Sequence, residues 1–298
     1  MRHHFILSLS LVAACGTPIG AEVPASTTQS SDWSVVGGAL ETRFPAVGYL
    51  MSAKGNKPLA GPNCGATLVA PKVAITAAHC VWNDEATRFG MGFGNVYSGP
   101  PNPGQVFMHP EYRRRDPKHR YRHDFAVLVL DEAVTDVAPM PRATAATGGE
   151  ALYVGYGRTS VGDQKVTTGY TGERKSTAES ITKIDATNLW TTGVGGGLCW
   201  GDSGGPIIDA DFGTVYGVLA DFDTNFYCNI GNKMIFSSVD GNADLLDRAI
   251  SCANSADVQA CMSVGCKYSC KDYGYAMSEC KDGWRCDGAC LQYIGDCK

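Results

Sequence analysis

The chain has 298 residues, 44% of them hydrophobic and 18% charged, with 25 basic against 30 acidic groups and a formal charge of −5. That is enough apolar material for a sizeable core, which excludes a disordered or low-complexity chain, and the acid excess argues against a general nucleic-acid binder. The 13 cysteines are unevenly spread: Cys15 stands alone, four lie from Cys64 to Cys228 and eight from Cys252 to Cys297, usage that suits an oxidising compartment.

The first residues read as a targeting segment. Arg2, His3 and His4 precede the apolar run Phe5–Ala14. That run is too short for a bilayer, which needs about 20 residues, and fits a signal-peptide core. Two cleavages are open. Val12-Ala13-Ala14-Cys15 is similar to a bacterial lipobox, cut before a cysteine that becomes lipidated. Cleavage near Ala21 would instead discard Cys15. Either way the remaining cysteines are even in number and the protein leaves the cytoplasm, secreted or lipid-anchored at Cys15. Residues 16–34 are rich in small polar types (Ser26, Thr27, Thr28, Ser30, Ser31, Ser34) and read as a pro-segment or linker.

From Val35 to Val239, short β-branched and apolar runs alternate with Gly, Pro and Asn: Ala66–Ala70, Val73–Thr76, Asp124–Leu130, Ala151–Val154 and Thr214–Ala220. This pattern predicts an all-β sandwich or barrel architecture. Thr144–Gly149 reads as a connection between two halves. Gly241–Ile250 is a candidate helix, with Leu245, Leu246 and Ile250 on one face.

Three motifs carry the chemistry: Thr76-Ala77-Ala78-His79-Cys80, His123-Asp124-Phe125-Ala126-Val127-Leu128 and Gly201-Asp202-Ser203-Gly204-Gly205-Pro206. Each alone has a plain structural reading: a core histidine or metal ligand, a strand start, a glycine turn. Together they supply a base, an orienting carboxylate and a hydroxyl nucleophile. A serine hydroxyl is a weak nucleophile without a base in hydrogen-bond reach, and the base needs an acceptor to fix its tautomer. Glycines beside the serine let backbone N–H groups approach a carbonyl oxygen.

The order His79, Asp124, Ser203 resembles that of the chymotrypsin/trypsin-like serine endopeptidases, over residues 35 to about 250. Further motifs carry the likeness. Val35-Val36-Gly37-Gly38 resembles the family's new N-terminus after precursor cleavage. Cys64 with Cys80, and Cys199 with Cys228, match its cysteine pairs beside the histidine and around the specificity pocket. Val154-Gly155-Tyr156-Gly157 resembles the segment that opens its second barrel. The resemblance implies two packed six-stranded antiparallel β-barrels with a C-terminal helix. It implies His79 as general base, Asp124 as its orienter, Ser203 as nucleophile, and Gly201 and Ser203 N–H groups as oxyanion hole. It also implies Asp202 as partner of a Val35 amine freed by cleavage at Ser34–Val35. No cofactor or metal is implied; the substrate is polypeptide and the protein a monomer.

Departures bear on specificity. Gly197 stands where trypsin-type members carry a pocket-base aspartate, so the pocket is expected not to select Arg or Lys. Phe222 and Met234 stand at pocket-wall positions and favour small or uncharged residues. Ala220 and Asp221 replace a usual serine and tryptophan. Ser34 before the activation bond points away from a trypsin-like activator and towards self-cleavage. A basic run (Arg113, Arg114, Arg115, Lys118, Arg120, Arg122) reads as a solvated loop or an anion site. Phe89–His109 lacks Asp and Glu, so no calcium loop is expected there.

Residues 251–298 form a separate cysteine-rich module, too short for a strong core and therefore stapled by disulfides whose pairing sequence does not choose. It contains no histidine and no Cys-x₂-Cys, which weakens a zinc reading. Tyr268, Tyr273, Tyr275, Trp284 and Tyr293 either cover disulfides or bind a protein or surface ligand. Two function classes follow: an exported serine endopeptidase made as a precursor, or a catalytically weak protease-fold protein whose C-terminal module does the binding.

Overall fold

The computed structural model describes residues 35–54, 57–58, 64–82, 86, 88–96, 101–113, 121–158, 172–223, 228–266, 270, 280–281, 284–287 and 290–293. Residues 1–34 with Cys15 and Ser34, the basic residues Arg114, Arg115, Lys118 and Arg120, the aromatics Tyr268, Tyr273 and Tyr275, and Cys297 lie outside these.

The chain enters through β1 (Ala39–Leu40) and builds a first sheet from β2 (Val47–Lys54), β3 (Lys57–Pro58), β4 (Cys64–Ala70), β5 (Val73–Thr76), β6 (Arg88–Gly92), β7 (Asn102–Met108) and β8 (Ala126–Leu130). Its order is β3-β2-β4-β5-β8-β7-β6, and β2 also pairs with β6. Six strands therefore close into an antiparallel barrel with β3 as a fringe. The sequence explains the centre: Ala126-Val127-Leu128-Val129-Leu130 is buried throughout, because β8 lies between β5 and β7 and has no solvent face.

A second barrel follows from β9 (Glu150–Gly155), β10 (Lys175–Ile184), β11 (Asn188–Val194), β12 (Pro206–Asp209), β13 (Thr214–Phe222) and β14 (Lys233–Ser238). Its ring runs β9-β10-β11-β14-β13-β12 and closes through β12–β9, with β1 added outside β10. Register shifts at Leu68/Ala70, Ile181/Lys183 and Leu219/Asp221 bend the strands as closure demands.

Two buried polar side chains staple the barrels together. Arg174, 1% exposed, donates to the carbonyls of Glu41 at 3.1 Å and Val47 at 2.9 Å and to Asn95 Oδ1 at 2.7 Å. The Tyr156 hydroxyl lies 2.5 Å from the Gly94 carbonyl and 3.1 Å from that of Val47.

A short 3₁₀ turn (Asp240–Asn242) leads into helix α2 (Ala243–Cys252), which follows the helical expectation and crosses residue 250. Leu245, Leu246, Ala249 and Cys252 face the first barrel's core, while Ile250 is 40% exposed. α3 (Val258–Met262) is tied back by Cys252–Cys261, and Met262 joins the same core. The start of the cysteine-rich segment is thus packed onto the first barrel. Beyond it, β15 (Cys280–Lys281), β16 (Trp284–Asp287) and β17 (Cys290–Tyr293) form a small antiparallel sheet, crossed by Cys266–Cys290 and Cys270–Cys286. Among the described residues no helix is long and apolar enough to cross a membrane.

Candidate active site

β5 ends at Thr76, and the chain turns through the buried Ala77 into a single helical turn, α1 (Ala78–Val81), that carries His79. The Cys64–Cys80 disulfide fastens this turn to the start of β4. The cross-link holds the neighbour of His79 in place without occupying His79 itself.

Asp124 stands just before β8 and is 2% exposed. Its carboxylate is used twice by one residue. The His79 backbone N–H donates to Oδ1 at 2.8 Å, and Oδ2 lies 2.6 Å from His79 Nδ1. A carboxylate only accepts, so Nδ1 carries the hydrogen and the basic lone pair belongs to Nε2. Nε2 lies 3.7 Å from Cys80 Sγ.

The turn that presents Asp124 is itself built with care. His123 has φ of 51°, and its Nδ1 lies 3.0 Å from Asn242 Oδ1, just ahead of α2. Its ring stacks on His109 at 4.1 Å. Burial, and secondarily His123, push the His109 imidazole down to about 4, so it packs as a neutral ring. No sequence motif flagged this stack.

Ser203 arrives from the opposite barrel, in the loop between Cys199 and β12. The Gly65 N–H donates to the Ser203 carbonyl at 2.7 Å, and Thr76 Oγ1 donates to the Gly65 carbonyl at 2.8 Å. The serine loop is therefore tied to the two strands that lead to His79. Gly204 permits this approach: its φ is 75°, and a Cβ there would lie 2.6 Å from the Gly65 carbonyl oxygen. Among the described residues no hydrogen bond joins the Ser203 hydroxyl to His79.

Around Ser203 the N–H groups of Asp202, Gly204 and Gly205 donate to the carbonyls of Cys199, Leu219 and Asp202. The N–H groups of Gly201 and Ser203 have no acceptor among the described residues. Gly201 has φ of 92°, a backbone that L side chains rarely adopt.

Asp202 is fully buried. Oδ1 accepts from Gly157 N at 2.9 Å and lies 3.1 Å from the Tyr153 hydroxyl; Oδ2 accepts from Cys199 N at 2.8 Å. Burial pushes its carboxyl up to about 7, against the lowering effect of those donors. Sequence reading missed a second buried acid, Glu179 on β10. It is 1% exposed, and burial raises it to about 8, with Asp202 adding to the rise and Thr191 opposing it. Thr191 Oγ1 donates to Glu179 Oε2 at 2.6 Å, while among the described residues Oε1 has no hydrogen-bond partner. The available signal was strand periodicity, since Thr177, Glu179 and Ile181 alternate inward.

Both acids have folded values above their ordinary 3.8 and 4.5, so the folded state keeps protons that the unfolded chain releases. Their contribution to stability is complete below the ordinary carboxylate range and is lost as pH rises through about 7 and 8. The unfolding free energy of this chain is expected to fall between pH 5 and pH 9 by an amount on the order of a few kcal/mol, and Glu179→Gln should lessen that fall.

Val35 is fully buried with φ of 57°, strained for a β-branched residue. Val36 bridges Gly197, whose N–H donates to the Val36 carbonyl at 2.8 Å. Cys199–Cys228 closes the loop beyond. Phe222 and Met234 are direct partners across β13–β14; Met234 is fully buried in the barrel core and Phe222 packs against it. Of the basic run, Arg113 is exposed and donates to the carbonyls of Pro110 at 2.7 Å and Tyr112 at 2.9 Å, and Arg122 is exposed. Donor atoms of Cys64, His79 and Cys80 lie within 4.8 Å of one another. Both sulfurs are spent in a disulfide and offer no thiolate, so the group does not suit a metal.

A family model described as Trypsin matches residues 39–245. Similar proteins include Trypsin alpha-4 of Lucilia cuprina, 26% identical over 231 residues (70% of this chain, 86% of that one). Chymotrypsin-like elastase family member 1 of Bos taurus is 27% identical over 212 residues (63% and 78%). Trypsin of Saccharopolyspora erythraea is 29% identical over 164 residues (49% and 70%). With two six-stranded barrels and this match across most of its length, the chain belongs to the trypsin family of serine proteases.

Proposed function

We propose that the protein is an exported serine endopeptidase, made as a precursor and activated by cleavage at Ser34–Val35. The observation that carries this reading is the double hydrogen bond of Asp124 to one residue, His79. It fixes the imidazole with Nε2 as the base. Nε2 takes the Ser203 proton as Oγ attacks the scissile carbonyl, then returns it to the leaving amine. The Gly201 and Ser203 N–H groups, without acceptors among the described residues, are available to the oxyanion.

The activation step follows from Asp202. Among the described residues no cation pairs with this buried carboxyl. In the uncut chain Val35 offers only an amide. Cleavage would free its strained φ and create an ammonium inside the same barrel, where Val35 and Tyr153 share one apolar cluster. Asp202 lies between Gly201 and Ser203 in sequence, so a new ion pair there acts directly on both oxyanion donors.

The expected substrate is polypeptide cut after a small or uncharged residue, because Gly197 supplies no charge at the pocket base and Phe222 adds bulk at its wall. Digestion of a denatured protein by the chain starting at Val35, with products identified by mass spectrometry, tests this. Internal cuts after small or uncharged residues, absent with Ser203→Ala, are the expected result. Intact substrate would instead favour the catalytically weak binding protein.

A further inference from the structure

We infer that Glu179 is a second acid of the site that receives the Val35 ammonium, holding that amine charged and so setting the alkaline limit of activity. The inference rests on the activation reading above and adds a residue that the family motifs do not mark.

The barrel interior around Asp202 holds more acid than one amine neutralises. Glu179 acts on Asp202, and both act on the Tyr153 hydroxyl, which donates to the Asp202 carbonyl at 2.6 Å. Among the described residues neither carboxyl has a cationic partner. The other charged group on the inward side of β10 is Lys175, whose ammonium lies 3.6 Å from Glu173. Glu179 keeps one oxygen uncommitted: Oε2 is held by Thr191, and Oε1 lies near Gly193, where a Cβ would stand 3.4 Å away.

The new N-terminus would be delivered beside this pair. Val35 packs in one cluster with Tyr153, Ile181 and Leu198. Tyr153 pairs with Thr177 across β9–β10, and Ile181 is the next inward residue after Glu179. Gly196 brings the Val36 carbonyl and Thr177 Oγ1 to the same backbone. A buried carboxyl with a free oxygen is otherwise destabilising. An ammonium arriving nearby converts it into a stabilising charge, and each group then holds the other ionised.

Chain cut at Ser34–Val35 and carrying ¹⁵N-valine tests this. The ¹⁵N signal of the Val35 amine, far from the backbone amides, reports its titration directly, and the alkaline limb of kcat/KM reports its effect. Glu179→Gln is expected to lower both midpoints by about one pH unit while the acid limb of kcat/KM stays. Thr191→Val, which removes the donor that favours the carboxylate, moves both in the same direction by less and serves if the first variant does not fold. An amine midpoint unchanged in both variants overturns the inference. If cutting produces no activity at all, the activation reading fails, and the amine titration still decides the role of Glu179.

Discussion

Asp124→Asn is expected to lower kcat by about four orders of magnitude with little change in KM. The reason lies in how one carboxylate is shared. Asparagine Oδ1 can keep the bond from the His79 backbone N–H, now 2.8 Å long, so the turn stays folded. Its amide nitrogen then faces His79 Nδ1 and donates, which moves the ring hydrogen to Nε2. A ring in that tautomer cannot take the Ser203 proton. Steady-state kinetics on a peptide ester, with unfolding curves as a control, would show a loss confined to kcat. A loss of less than tenfold would mean that His79 and Asp124 do not act as base and orienter.

The second large effect concerns activation. The uncut chain should turn over peptide at least about 10²-fold more slowly than the chain beginning at Val35, since without the Val35 ammonium no cation holds Asp202 and the donors beside it, and loss of one oxyanion donor costs about 10²–10³ in kcat. Asp202→Asn should stay near the uncut level even after cleavage. Asparagine lacks the charge to hold the ammonium, and its amide nitrogen would confront the Cys199 N–H that now donates to Oδ2 at 2.8 Å. Comparing kcat/KM for uncut, cut and cut Asp202→Asn protein checks this. Equal rates for cut and uncut chain would remove the precursor from the account.

Much of this was legible in the residues because the motifs are local. Thr76–Cys80 is a strand end and one helical turn, so the placing of His79 is written in consecutive positions. The barrel strands were legible where both faces are buried, as in Val73–Thr76 and Ala126–Leu130. Asp124 was read as part of a strand, but the strand begins at Ala126, because the positive φ of His123 turns the chain just before it. Long-range pairings were not legible. Cys252–Cys261, Cys266–Cys290 and Cys270–Cys286 depend on how the tail folds. Nothing local relates Glu179 to Asp202 or stacks His123 on His109, since those neighbours come from strand register and barrel closure. Met234 shows the same limit: as a pocket-wall position it reads as substrate-facing, yet β14 turns it into the core, opposite Thr191.

Once the chain begins at Val35, Ser203 is expected to be a nucleophile activated by His79 and Asp124. Labelling that protein with a fluorophosphonate, read by intact mass and peptide mapping, checks this. One adduct on Ser203, absent from Ser203→Ala and strongly slowed in Asp124→Asn, is the predicted result. Folded protein with a free Val35 amine and no adduct would contradict it.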